Sequence, residues 1–312
     1  MRMTTSALAL TLATTSAAAQ ERPAEKAFLE ALLNGGADAA VTLKWDTVSY
    51  APDGSLVVTG LSATTSAKSR PVTIEAKTAT FANPKVSGQS ATADLATISG
   101  LTASYDKGTV TVSSIELQNP STTSGSLRAD STVATAISLA GADRKSIATT
   151  ERLSAAATDW RQGLPQRASV RLDGMRYVGD VPSQAPSDAK RFASKPFSVG
   201  WDFAYAPNTK TLDYQAGIQF GDPGESGAIR LTSRIVDIDA QEAAQGALGT
   251  QARPPETGRL ESGDATYVDD GLANAVMDAI SKGDKAQRER WASMARLAIM
   301  VQGEKVMGAS AA

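Results

Sequence analysis

Asp264, Asp269 and Asp270 stand close together near the end of the chain. Hard cations take carboxylate oxygens, so such a cluster is the first place to look for metal chemistry. The spacing is not that of a calcium-binding loop. Asp269-Asp270 directly precedes GLANAVMDAISKG, whose Leu272, Val276 and Ile280 share a helical face. An aspartate there caps the first helical turn, which accounts for the pair without a metal. Asp202, Asp213 and Glu225 could in principle supply the two carboxylates of a glycosidase, but a linear sequence does not show two of them facing one cleft. Gly221 and Gly224, in GDPGESG, read as a turn between strands and not as a phosphate loop that opens a helix. The basic run KAQRER (285–290) reads as a solvated helix face, with phosphate headgroups as the other reading. Leu297 to Val301 reads as an apolar stripe packed over the end of a sheet, with a membrane surface as the other reading.

Composition excludes much more. The 312 residues contain no histidine and no cysteine. Disulfides, thiolate nucleophiles, Cys/His zinc sites and a Ser-His-Asp triad are therefore excluded. The net charge of −2 gives no whole-protein attraction for nucleic acid. No residue is nominated as catalytic, cofactor-binding or metal-ligating, and no cofactor is expected.

The elements that must position these residues are mostly strands. From about Val41 to Asp239, short alternating runs are punctuated by Pro52-Asp53-Gly54, Asn83-Pro84, Asp106-Lys107-Gly108, Asn119-Pro120 and Pro207-Asn208. Residues 241–257, with two glycines and two prolines, read as a loop, and 258–268 as one more strand. Before the strands, AEKAFLEALL (24–33) has helical spacing and stops at Gly35-Gly36. Before that, MRMTTSALALTLATTSAAAQ reads as an export signal, with Arg2 as its positive start and Ala17-Ala18-Ala19 as its cleavage site.

One pattern recurs: apolar–x–apolar–x–small–apolar–x–apolar. It fits Leu56 to Ala63, Ala96 to Ala103, Val110 to Leu117 and Val170 to Tyr177, with Gly60, Gly100, Ser114 and Gly174 at the small position. The apolar set changes parity there. A β-bulge does this by adding one residue and bending the strand; a strand crossing between covered faces is the alternative. Repeated kinks imply strong curvature. Ser49–Leu61 and Ser104–Ile115 also resemble each other, which suggests a duplication some 54 residues apart.

The expected fold is mainly β (α+β): a large curved antiparallel sheet, as a half-pipe, groove or flattened barrel, with a short N-terminal helix and two C-terminal helices. The expected organisation is a signal over 1–19, a helix within 20–40, the β domain over 41–268, a helical pair packed on the sheet over 269–304 and a disordered tail over 305–312. A membrane-spanning barrel is not expected, because aromatic girdles are missing and helices close the chain.

A family resemblance rests on these strands. LVVTGLSA, ATISGLTA and VTVSSIEL, with the Asn-Pro turns, resemble the β-repeats of AsmA-like envelope proteins. ESGDATYVDDGLANAVMDAI is similar to the C-terminal part of YdgA-like periplasmic proteins, where a strand leads through an acidic cap into helices. The likeness runs from about Val41 to Ile280. It implies an envelope location and, for the AsmA-like group, lipid handling in a long β-groove; it transfers no functional residue. The resulting expectation is an exported, periplasmic, non-enzymatic groove protein that binds a lipid or other apolar envelope component. The alternative is a structural or protein-interaction module of the envelope with a filled core, and a carboxylate-based hydrolase comes third. The expected partners are a lipid or an envelope protein, with peripheral membrane contact but no integral span in the mature chain, and no nucleic acid.

Overall fold

The computed structural model describes residues 23–34, 41–65, 72–88, 90–123, 126–143, 145–161, 165–178, 195–221, 227–247 and 257–268, together with 284–287, 289 and 293. The export-signal and tail readings lie outside these residues, as does the first C-terminal helix. Of the second, Asp284 is described: its Oδ1 accepts hydrogen bonds from the backbone N–H of Ala286 (2.8 Å) and Gln287 (3.3 Å), an N-cap.

The chain opens with α1 (Pro23–Asn34). Proline at the first helical position costs nothing, because that N–H has no intrahelical partner. Two short strands follow, β1 (Val41–Lys44) and β2 (Thr47–Tyr50), and both pair with β3 (Leu56–Thr65). Then come β4 (Val72–Ala82), β5 (Lys85–Ser87), β6 (Ser90–Thr92), β7 (Leu95–Tyr105), β8 (Gly108–Gln118), β9 (Ser121–Thr123), β10 (Ser126–Arg128) and β11 (Ser131–Gly141). The last strands are β12 (Ser146–Thr158), β13 (Arg167–Tyr177), β14 (Phe197–Ala206), β15 (Thr211–Phe220), β16 (Ala228–Val236) and β17 (Arg259–Val268). Between β16 and β17 lies α2 (Ala240–Ala247).

The fold is mainly β, with a large curved antiparallel sheet. Its strand order is β1-β3-β4-β7-β8-β11-β12-β13-β14-β15-β16-β17, with β2 beside β3, and the described strands do not close into a barrel. A second sheet, β10-β9-β6-β5, was not anticipated from the sequence. Its strands are excursions from the main meander, three residues each, too short to show alternation.

The internal repeat is 36 residues long, not 54. β8, β9, β10 and β11 each begin 36 residues after β4, β5, β6 and β7. The Asn-Pro turns are part of this unit. Asn83 and Asn119 both take a left-handed conformation, φ 49° and 50°. Each donates from its amide nitrogen to an aspartate that opens a later strand: Asn83 to Asp94 (2.6 Å) and Asn119 to Asp130 (2.8 Å). Asparagine suits this position because it tolerates that backbone conformation and hydrogen-bonds locally. The 54-residue likeness instead compares β3 with β8. These strands run in opposite directions, so they are not equivalent repeats.

The segment read as a loop over 241–257 begins with α2. Asp239 caps it: its Oδ1 accepts from the backbone N–H of Gln241 at 2.8 Å. Glu242 then accepts hydrogen bonds from both the N–H and the hydroxyl of Thr257, which fastens the helix to the approach to β17. The alanine-rich AQEAAQGA carried helical propensity that the neighbouring glycines and prolines obscured.

Candidate ligand groove

The kinks are mostly not bulges. Between Thr59–Thr78 and Leu61–Ala76 the register of β3 on β4 is unbroken, so Gly60 faces Lys77. The same holds on β7, β8, β11 and β12. One line therefore crosses seven strands: Gly60, Lys77, Gly100, Ser113, Ala136, Glu151 and Gly174. Every second residue on it has a positive φ: Gly60 60°, Gly100 61°, Ala136 48° and Gly174 64°. The strands change parity together, so no partner is left unpaired by one residue. Only at Gly174 does the pairing slip, on the β14 side, between Leu172 and Met175. On β8 the line passes through Ser113 and not through Ser114. Glycine is favoured at Gly100 on two counts: an L side chain rarely adopts that φ, and a Cβ there would lie 2.7 Å from Cδ of Lys77, which would have to move.

This shared crease keeps one face apolar on both of its sides. Leu56 and Val58 are buried before Gly60, and Leu61 and Ala63 after it. The register extends this to whole rows. One row begins Val58–Ala79–Ile98 on β3, β4 and β7, then passes through Ile115, Ala134 and Leu153 on β8, β11 and β12. It continues through Leu172, Val199 and Ile218 to Ile229 and Tyr267 on β17. Its first ten members are aliphatic and the eleventh is Tyr267, over about 48 Å at ~4.8 Å per strand. The neighbouring row, from Leu56 through Leu117 and Val170 to Leu231 and Ala265, is interrupted only by Thr132. Beyond the crease, Leu61–Ala76–Leu101–Val112–Ile137 and Ala63–Ile74–Ala103–Val110–Leu139 repeat the pattern. The row between the first two, on the other face, carries Glu116, Arg171 and Arg230 among glycines and hydroxylated residues, with Val57 and Val133 its aliphatic members.

Burial along this apolar face is uneven. At the β3 end Val58 and Ala79 are fully buried under α1, whose Phe28, Leu29 and Leu32 join one cluster with Leu56, Phe81 and Ala96. Phe28 meets Phe81 edge-to-face at 5.1 Å. Each fully buried side chain of this size stabilises the fold by about 2 kcal/mol. Ile98 and Leu117 pack half-buried at the margin of that cluster. From Ile115 to Ile229 the same row is half-buried, apart from the small Ala134, and at Tyr267 it is 46% exposed. A second cluster joins Phe203, Tyr205 and Leu212 to Ile238 and Ala243 of the α2 region. Tyr205 donates to the carbonyl of Ile238 at 3.2 Å, and burial, assisted by Asp239, raises its pKa. A concavity of about 490 Å³ lies on the crease, lined by Ala136, Ile137, Thr150, Glu151 and Gly174 among others.

The opposite face of β14–β17 holds a concavity of about 500 Å³, lined by three aspartates among hydroxylated, aromatic and small residues. It brings together Asp202, Asp213 and Asp264, the first two of which are paired with arginines. Asp213 accepts two hydrogen bonds from Arg234, at 2.7 and 3.0 Å, which hold its carboxyl below the usual carboxylate range. A general acid needs the reverse shift. Asp202 pairs with Arg171 at 3.1 Å. Asp264 accepts from the Thr266 hydroxyl at 3.0 Å and lies opposite Thr232. Among the described residues no group of three acidic side chains could hold a metal ion. Gly221 sits in a strand-end turn, its N–H donating to the carbonyl of Pro196. Glu225, Gly224, Asp269, Asp270 and 297–301 lie outside the described residues. No described helix is long and apolar enough to cross a membrane.

The continuous row was not nominated from the sequence. Its signal was present in each strand, but adding strands into rows requires the register. Comparison with protein families, with curated proteins and with solved structures finds no match.

Proposed function

We propose that this chain is an exported, non-enzymatic envelope protein that holds the aliphatic chain of a lipid along the apolar face of its curved sheet. The observation that carries this reading is the row from Val58 to Tyr267, apolar on every strand it crosses and only half-buried over most of its length. So long a half-buried apolar face suits an apolar occupant. The lining between β8 and β13 is aliphatic, with no aromatic ring for stacking a planar ligand, which suits a flexible hydrocarbon chain. The likeness to AsmA-like and YdgA-like proteins agrees with an envelope location and, for the AsmA-like group, with lipid handling.

The test is native mass spectrometry of the mature protein purified from the periplasm, with extraction and identification of co-purifying lipid. A near-stoichiometric lipid is the expected result. A clean ligand-free mass, with no uptake of added lipid, overturns the reading.

A second reading, an interaction module of the envelope, is favoured by β17, the last of the described strands in the main sheet. All its residues but Leu260 are exposed, and Tyr267, Val268 and the neighbouring Leu231 form an apolar edge. Such edges pair readily with another chain. Crosslinking that captures a defined envelope protein through β17, with no lipid bound, decides for it.

A further inference from the structure

We infer that β14 and β15 carry, on the face opposite the apolar rows, a socket for an acidic sugar: a pyranose ring with one carboxylate, which Arg230 takes. The inference does not rest on the groove reading above.

The register lays the socket out. Gly200 of β14 lies directly opposite Gly217 of β15, and the same row holds Arg171 on one side and Arg230 on the other. Two residues along the strands in either direction stand the cross-strand pairs Ser198–Gln219 and Asp202–Gln215. Side chains two apart share a face, so all six neighbours of the glycine pair on this face are polar. Together they line a concavity of about 360 Å³, within the roughly 300–1,000 Å³ of small-molecule sites. Each arginine stem stands beside a glycine. A Cβ on Gly200 would lie 3.3 Å from Cγ of Arg171, and one on Gly217 would lie 3.9 Å from Cγ of Arg230. The floor between them is bare backbone, on which a flat ring can lie.

The rim selects the ligand. Glutamine and serine both donate and accept hydrogen bonds, Asp202 accepts, and the arginines donate. Hydroxyl groups spread around a ring match such a rim, because each of them can do either. No aromatic side chain stands among the six, so the socket does not suit a stacked base. Charge narrows the class further. Arg171 is neutralised by Asp202 at 3.1 Å. Asp173, at the margin of the concavity, stands opposite Arg152. Among the described residues Arg230 has no ion-pair partner. One positive charge is left over, and a carboxylate on the sugar meets it through paired N–H donors.

The experiment titrates the full chain with D-glucuronate and with D-glucose at low ionic strength, read by saturation-transfer NMR. Wild type should bind D-glucuronate about tenfold more tightly, the equivalent of one charged hydrogen bond. Arg230→Gln should bring the two sugars within about twofold of each other. Arg234→Gln removes the same charge from the neighbouring concavity and should keep the full preference. Gly200→Val puts a side chain on the floor, where its Cβ meets the flexible stem of Arg171 first. It should weaken both sugars about tenfold. Arg230→Gln decides the matter if the valine variant does not fold. Wild type that binds neither sugar, or both equally, overturns the inference. So does an Arg230→Gln chain that keeps the full preference, or a folded Gly200→Val chain that binds as wild type does.

Discussion

The two ends of the sheet are made of the same material and end up in different states. At the β3 end, Leu56, Val58, Ala79 and Phe81 lie under α1 with almost no exposure. At the β17 end, Leu231 and Tyr267 occupy the same two rows and are each 46% exposed. Residue type does not explain this difference. Among the described residues the covering elements do: α1, with Ala91 and Ala93 beside it, seals the β3 end, whereas α2 packs on Phe203, Tyr205 and Leu212. An apolar face is a property of pattern and register, while a core also needs something to lie on it.

This contrast is easiest to break at the covered end. Phe81→Ala should cost about 4 kcal/mol in urea unfolding, because it removes a fully buried ring and leaves a cavity beneath α1. The matching change at the open end, Leu231→Ala, should cost less than about 0.5 kcal/mol. Equal costs would mean that the open end is sealed as well. The crease comes next. Gly100→Ala should cost about 2 kcal/mol, because the side chain meets Lys77 and the backbone is left-handed. Its counterpart Ala136 already bears a left-handed φ of 48° without being glycine. Ala136→Gly should therefore be neutral or stabilising by about 0.5 kcal/mol, as relief of backbone strain offsets lost strand propensity.

The ionisable groups give smaller effects. Tyr205 has a raised pKa in the folded state, so the stability it contributes is complete below about pH 10 and falls as pH rises through the folded value. Tyr205→Phe should flatten the alkaline limb of the stability profile and cost about 1 kcal/mol at neutral pH through the lost bond to Ile238. Asp213 has a lowered pKa, so its contribution is present above about pH 4 and is lost as pH falls through the folded value. The Asp213–Arg234 pair is half exposed and screened. Asp213→Asn should therefore change stability by only about 0.3 kcal/mol at neutral pH, with the change vanishing in acid.

Much of the architecture could be read from local signals. Asn83-Pro84 and Asn119-Pro120 mark turns because asparagine accepts a left-handed backbone and proline cannot continue a strand. Leu56 to Ala63 announces its change of face at Gly60. What that change means was not readable: a bulge and a line of coordinated left-handed residues leave the same trace in one strand. Only the neighbouring strands distinguish them, since a bulge shifts the register and this crease does so only where β13 meets β14. The sequence brought Asp202, Asp213 and Asp264 to notice, yet Arg171 and Arg234, which pair with two of them, sit one strand away and as much as 31 residues off. α2 was hidden by the glycines and prolines around it, and the Glu242–Thr257 contact that fastens it spans 15 residues.

By itself the sequence determined the strand-rich class, the turns, the crease glycines and the absence of thiol and imidazole chemistry. These follow from residue identity and from periods of two to four residues. Tertiary structure alone decided the register that joins Val58 to Tyr267, the 36-residue repeat, the second sheet, and which part of the apolar face α1 covers. These depend on contacts between residues far apart in the chain, and the energy of such contacts appears only when the strands are laid side by side.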